Sequence, residues 1–381
     1  MQSADIDMPH DFDTVIERRG TAASKWTRFS EGVLPFWVAD MDFRAPEYIL
    51  NGLRTRLDHG ILGYTATPPT TVEAFVDWLR RTYAWEVRED WLVWIPGVVT
   101  GFNLATRAAL HPGGGILIPK PVYYPFLDVP KNTGGTALLS DLVRDGNRWV
   151  MDMDDLDLKA RQADILLLCN PQNPTGRVYT RQELEAVAAL CERRDLVLMS
   201  DEIHCPLVLD PGCRHLPIAS LHPDIAARSI TLFSPTKAYN LPGLGCGVAV
   251  IPDRDLRRRF MKARAGLVPG IGPLAYLACE LAWRDQTSYL PSLLAYLRAN
   301  HDQLRAAMGQ RMTPVEGTYL AWIDITDLGL ADPEAHFVAH GLGLSQGAQF
   351  GGPGYIRFNF GCPSSMLQEG IKRLKSAFAA A

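Results

Sequence analysis

The 381 residues contain no stretch of 18 apolar residues, no C-x-x-C pair and no excess of one charge. Each absence excludes something. Without a long apolar run, no membrane-spanning helix is expected. Thirty-eight Lys plus Arg stand against 42 Asp plus Glu, a formal charge of −4. That near-balance lacks the basic surplus that nucleic-acid phosphates require, so nucleic acid is not an expected partner. The seven cysteines are odd in number and scattered, which gives neither a disulfide framework nor a zinc knuckle. A reduced, cytoplasmic setting is expected. The opening MQSADIDMPHDF carries acidic residues and no apolar core of a secretory signal. No 20–50-residue repeat, P-loop, HExxH or GxSxG is present. Gly243-Leu-Gly245-Cys-Gly247 has the wrong spacing for a dinucleotide fingerprint, and a strand follows it instead of a helix.

What remains is an ordinary globular composition, 47% hydrophobic and 21% charged, long enough for two domains or one large one. The middle of the chain alternates strands and helices. GILIP at 115–119, ILLLC at 165–169, LVLMS at 196–200, SITLF at 229–233 and GVAVI at 247–251 are short and apolar throughout. Such runs separated by helical patterns predict an α/β sheet covered by helices on both faces. Thr180-Arg-Gln-Glu183 is a capping box opening a helix to about Arg194. After Pro252 the pattern predicts helices over 255–265 and 273–308, the second too long for one helix and kinked or divided by Pro291. Strands at 319–325 and 355–360 and a helix over 365–379 then suggest a smaller α+β unit, with a hinge near 286–291.

Three polar residues fall at the carboxyl ends of predicted strands, where open α/β sheets bind ligands: Asn173 in NPQNPTG, Asp201 ending LVLMS, and Lys237 in SPTKAYN. Singly they have plain explanations as loop chemistry, a turn cap and a solvated lysine. Together they make a site. His336 and His340 stand four apart without a third ligand pattern and read as ordinary helix histidines. Cys205 beside His204 reads as a packed or pocket-lining thiol, and no metal is expected.

Longer segments carry a resemblance. FDTVIERRGTAASKW (12–26), LPFWVADMDFRAP (34–46), HGILGYT (59–65), PGVV (96–99), PVYYPF (121–126), NPQNPTGRV (170–178), SDEIH (200–204), SPTKAYNLPGL (234–244), EGTYLAWID (316–324) and IRFNFGCP (356–363) resemble the fold-type I pyridoxal 5′-phosphate (PLP) enzymes, and within them the MalY/PatB branch of cystathionine β-lyase-like C–S lyases. The resemblance implies an aspartate aminotransferase-like α/β fold. Its large domain, residues 46–285, holds a mostly parallel seven-stranded sheet between helices; residues 1–45 and 286–381 form a small α+β domain. It implies that Lys237 bears PLP and later shuttles the Cα proton. Asp201 then pairs with the ring nitrogen, Asn173 with the ring oxygen, and Tyr123 stacks on the ring. His204 also falls at the cofactor, while Val98, Val99 and Ser234 take the phosphate. Tyr64 reaches the cofactor from a partner subunit as a further catalytic group, which implies a homodimer. Arg357 holds the substrate carboxylate, with Ala39 and Asp40 beside the substrate.

The implied reaction is cleavage of a cysteine S-conjugate to a thiol, pyruvate and ammonia. The chain departs from the branch at Cys205-Pro206, at Ser-Pro-Thr before the lysine, at Gln346 and at Gly361, and most of these changes are expected near the substrate mouth. Gly245 stands where aspartate-aminotransferase-like members carry a phosphate-binding arginine. An aminotransferase, or a decarboxylation-dependent deamination at Cα, remains an alternative, as does a regulatory binding role.

Overall fold

The computed structural model describes residues 10–381. Its strands in chain order are β1 (Leu34–Pro35), β2 (Leu92–Ile95), β3 (Gly115–Lys120), β4 (Thr136–Asp145), β5 (Arg148–Met151), β6 (Ala163–Cys169), β7 (Val197–Asp201), β8 (Ser229–Phe233), β9 (Gly247–Val250), β10 (Leu320–Asp324), β11 (Leu342–Gly343), β12 (Ser345–Gln346) and β13 (Tyr355–Asn359). The apolar runs read from the sequence become β3, β6, β7, β8 and β9. They pack as the centre of one sheet, in the order β2-β9-β8-β7-β6-β3-β4-β5. The pairings β8–β7, β7–β6, β6–β3 and β3–β4 are parallel.

The sheet has eight strands, one more than the seven-stranded expectation. The addition is β5, which turns back antiparallel on β4 through Gly146. On the other side β9 runs antiparallel to both β8 and β2. Burial explains the sequence pattern: β8 and β9 are buried at every position because helices cover both faces. One cover is the helix Val98–Ala109, whose Phe102 and Ala105 pack among Ile116, Ile165 and Leu232. On the opposite face the helices Pro69–Tyr83 and Pro273–Trp283 cover β8 and β9. There Arg181–Arg193 covers β6 and β7, opened by the capping box with Thr180 accepting from the Glu183 N–H at 3.2 Å.

A second sheet, β10-β13-β12, lies beyond the long helices. The chain breaks helix 273–308 earlier than Pro291: Pro273–Trp283 stops, and Tyr289–Met308 begins again. Pro291 sits in the first turn of the second helix, where its missing N–H has no intrahelical partner to lose, so it causes no kink. The two chain ends meet: β1 pairs with β11, and Phe36 stacks on Phe358 with ring centroids 4.2 Å apart. His336 and His340 are spent on backbone carbonyls, those of Ala377 and His336. Among the described residues no helix is long and apolar enough to cross a membrane.

Candidate active site

The carboxyl ends of β6, β7 and β8 open on a cavity of about 260 Å³. Asp201, Asn173 and Lys237 all line it, as the strand-end argument expects. Asp201 ends β7 with its carboxylate buried; its one hydrogen bond is from the Ile203 N–H at 3.1 Å. Desolvation raises its pKa to about 7, against the pull of that N–H and of Lys237. Among the described residues it has no salt bridge. A buried carboxylate without a cation is costly.

Lys237 donates from Nζ to the Ala39 carbonyl at 2.6 Å. Desolvation lowers its pKa to about 8, with Asp40 opposing. The same carbonyl accepts the Tyr319 hydroxyl at 2.9 Å, so the segment after β1 is clamped over the amine.

The opposite end of the cavity is the start of the helix Val98–Ala109. Gly97 provides no side-chain cap and no acid stands in the first turn, which leaves N–H groups and the positive end of the helix for an anion. Ser234 and Thr236 line the cavity; the Ser234 hydroxyl donates to the Cys246 carbonyl at 2.7 Å and lies 2.8 Å from Thr236 Oγ1. Gly245 is required here. A Cβ on it would come within 2.5 Å of the Pro96 carbonyl oxygen, so no arginine fits without moving the backbone.

A second cavity of about 440 Å³ shares Ala39, Tyr123 and Lys237 with the first. Arg357, from β13, lines it and is buried. It donates from Nη1 to Asn173 Oδ1 at 3.0 Å and from Nη2 to the Trp37 carbonyl at 2.5 Å, while Nε has no partner. Desolvation lowers the guanidinium to about 10. Among the described residues it pairs with no carboxylate, so the site carries an uncompensated buried cation where a substrate anion would enter.

The remaining expected residues divide. Val98, Val99, Tyr123, Ser234, His204 and Ala39 line the first cavity. His204 is buried with Nδ1 unpaired, and desolvation pushes its pKa well down, so the ring is neutral. Tyr64 is fully exposed and lines neither cavity. Asp40 also lies outside both: its carboxylate is held by Arg18 at 2.8 Å. Cys205 and Pro206 line a different cavity, beside Tyr83 and His215, and not the substrate mouth. Thr236 and Cys169 were unforeseen as lining residues, although each adjoins a motif that was read. Trp37, in the resembling segment 34–46, and Ser345 both contact Arg357, a contact with no local signal in the sequence.

A half-buried lysine set between an unpaired carboxylate, an uncapped helix end and an unpaired arginine defines a PLP enzyme of fold type I. The chain belongs to the aminotransferase class I and II family, whose model matches residues 25–374. Cystathionine beta-lyase PatB of Bacillus subtilis (strain 168) is 36% identical, covering 97% of this chain and 100% of PatB. The crystal structure of OvoB superposes with a TM-score of 0.94 at 43% identity, over 97% of this chain and 100% of that one. That of cystalysin from Treponema denticola, which contains a pyridoxal 5′-phosphate cofactor, gives 0.92 at 31%, over 98% and 100%.

The residues fit PLP on their own chemistry. The uncapped helix end suits a phosphate, Asp201 lacks the cation that a protonated ring nitrogen provides, and Lys237 supplies an amine for an aldehyde.

Proposed function

We propose that the chain is a PLP-dependent carbon–sulfur β-lyase that splits an S-substituted cysteine into a thiol, pyruvate and ammonia. The carrying observation is the place of Lys237, whose side chain lines both the cavity ending at Asp201 and the cavity holding Arg357. A relative 36% identical along its whole length bears the name cystathionine beta-lyase, which supports the reaction class. In this reading Lys237 carries the cofactor, Asp201 meets its ring nitrogen and Asn173 its ring oxygen. Tyr123 and His204 flank the ring, and the Val98 and Val99 N–H groups with Ser234 and Thr236 take the phosphate. The division into residues 46–285 and 1–45 with 286–381 is part of the same reading, supported by the pairing of β1 with β11.

When bound, PLP supplies an electron sink for the substrate's Cα. Arg357 binds the α-carboxylate and thereby fixes the Cα–H bond toward Lys237. With its pKa lowered to about 8, the Lys237 amine is partly uncharged near neutrality and can take that proton. Sulfur leaves Cβ with the bonding pair and is protonated as the thiol. The remaining three carbons take up one water and release ammonia and pyruvate. Asp40 acts from behind, as a charge near Lys237, and not as a substrate ligand.

A homodimer completes the reading. Ile61, Leu62 and Tyr64 are exposed at 66%, 55% and 113%, an apolar tip suited to a partner's site. The seven unpaired thiols support a reducing, cytoplasmic setting. The test is incubation of the PLP-loaded protein with cystathionine and other cysteine S-conjugates without a keto-acid acceptor. Pyruvate and thiol should appear in equal amounts. Their absence across the panel refutes the reading, and strict dependence on a keto acid makes the chain an aminotransferase.

A further inference from the structure

The second cavity holds a cation besides Arg357. Arg28 lines it at the outer end, and the two guanidiniums stand on opposite parts of one residue. Trp37 gives its backbone carbonyl to Arg357, while its ring carries the Arg28 guanidinium 4.7 Å from the centroid. The Trp37 indole is itself fixed, donating from Nε1 to the Lys25 carbonyl at 3.0 Å. Lys25 is buried and tied to Asp42 at 2.6 Å, so the platform beneath Arg28 is anchored in the core. Arg28 therefore stands at a fixed place relative to the residue that receives the α-carboxylate.

Its charge is available. The one carboxylate on Arg28 is Glu334, at 2.7 Å, and both side chains are about a third or more exposed, at 34% and 40%. Ion pairs this exposed hold weakly and exchange readily for another anion. Tyr124 and Asp128 also line the cavity, and Asp128 is an exposed carboxylate with no salt bridge among the described residues. An anion entering the cavity thus meets attraction at Arg28 and repulsion at Asp128.

We propose that Arg28 is a specificity-determining residue of this site, binding a carboxylate carried on the sulfur substituent and so selecting anionic cysteine S-conjugates over neutral ones. The inference rests on the lyase reading. The α-carboxylate occupies Arg357, the substituent extends along Trp37 and Tyr124, and its acidic end displaces Glu334 from Arg28. Arg28 takes no part in breaking the carbon–sulfur bond, so its effect falls on KM.

The test uses the PLP-loaded protein and three conjugates of equal length: S-(2-carboxyethyl)-, S-(2-carbamoylethyl)- and S-(3-aminopropyl)-L-cysteine. Pyruvate release should give a kcat/KM for the carboxylate at least ten-fold above that for the amide, mostly through KM. In R28M that ratio should fall toward one, and R28K should restore part of it. The cofactor's absorbance and the circular dichroism of each variant establish that it is folded. Equal wild-type rates for carboxylate and amide overturn the inference while leaving the lyase intact, as does a ratio unchanged in R28M. Preference for the aminopropyl conjugate overturns it in favour of Asp128. If none of the three is cleaved, cleavage of cystathionine and the other conjugates of the panel decides the lyase reading separately. Quenching of tryptophan fluorescence on binding then still decides the role of Arg28, through the same ratio of affinities.

Discussion

Arg357 and Asn173 are joined by a 3.0 Å hydrogen bond from Nη1 to the side-chain oxygen. The bond links β13 of the second sheet to the loop after β6, so the groups read as holding substrate and cofactor cannot move independently.

Substitution at either end should therefore be felt at both. R357A should lower kcat/KM by roughly 30- to 5,000-fold, the cost of removing one member of a buried charged contact. R357K should fall between, because lysine keeps the charge and loses the planar fork. N173A should raise KM about ten-fold, since the guanidinium loses a fixed partner. Steady-state pyruvate release checks all three, and an N173A enzyme with unchanged KM would break the link.

Asp201 gives a pH signature in the cofactor-free protein. Its folded pKa of about 7 lies above the unfolded value of about 3.9, so the fold binds a proton that the unfolded chain has lost. Stability should fall as pH rises from about 4 to about 7, by at most about 1.4 kcal/mol per unit, and then level off. Lys237, lowered to about 8, acts with the opposite sign: its contribution returns only as pH climbs above that value. D201N should remove the acid-side slope and weaken PLP binding at least ten-fold. Urea midpoints across pH and cofactor titration are the measurements; an unaltered slope in D201N would show that another group dominates.

Borohydride reduction of the PLP-loaded protein should fix the cofactor to the tryptic peptide containing Lys237. K237A should retain no label and release no pyruvate, with R357A labelled normally. Label recovered on any other lysine would displace Lys237 from its role.

Glu316 should matter for stability out of proportion to its distance from the chemistry. It accepts from Arg177 Nε and from the Val178 N–H, both at 2.9 Å, at the end of the loop that carries Asn173. E316A leaves the buried Arg177 with Glu183 and the Trp149 carbonyl, and breaking a buried pair costs about 3–5 kcal/mol. A lowered urea midpoint and a weakened hold on PLP are expected; E316Q, which keeps part of the hydrogen bonding, should lose less.

The site was legible where chemistry coincided with a strand end. Asp201 could be singled out because a carboxylate follows an apolar run, and Lys237 because a glycine-rich, charge-poor segment surrounds it. The capping box at Thr180 and Glu183 is local, and so it was readable. Asp40 was misplaced because its partner, Arg18, lies 22 residues away in a segment without periodicity. The eighth strand escaped because β5 is four residues after a glycine turn, too short to show a pattern. The helix break fell at 284–288 and not at Pro291, because proline in a first turn is tolerated. Trp37 lay in a segment that carried the resemblance but with no role assigned, and Arg28 had no signal, since their place depends on β1 reaching β11.

The clamp over Lys237 also sets an order of assembly. Ala39, whose carbonyl takes the amine, is 198 residues earlier in the chain, and Trp37 precedes Arg357 by 320. A ribosome thus delivers the acceptor carbonyls first, the amine later and the guanidinium later still. Domains fold as units while synthesis proceeds. A chain interrupted between Lys237 and β13 would own a reactive amine and no means of holding a substrate beside it. In the proposed reading, synthesis of β13 is what arms this protein.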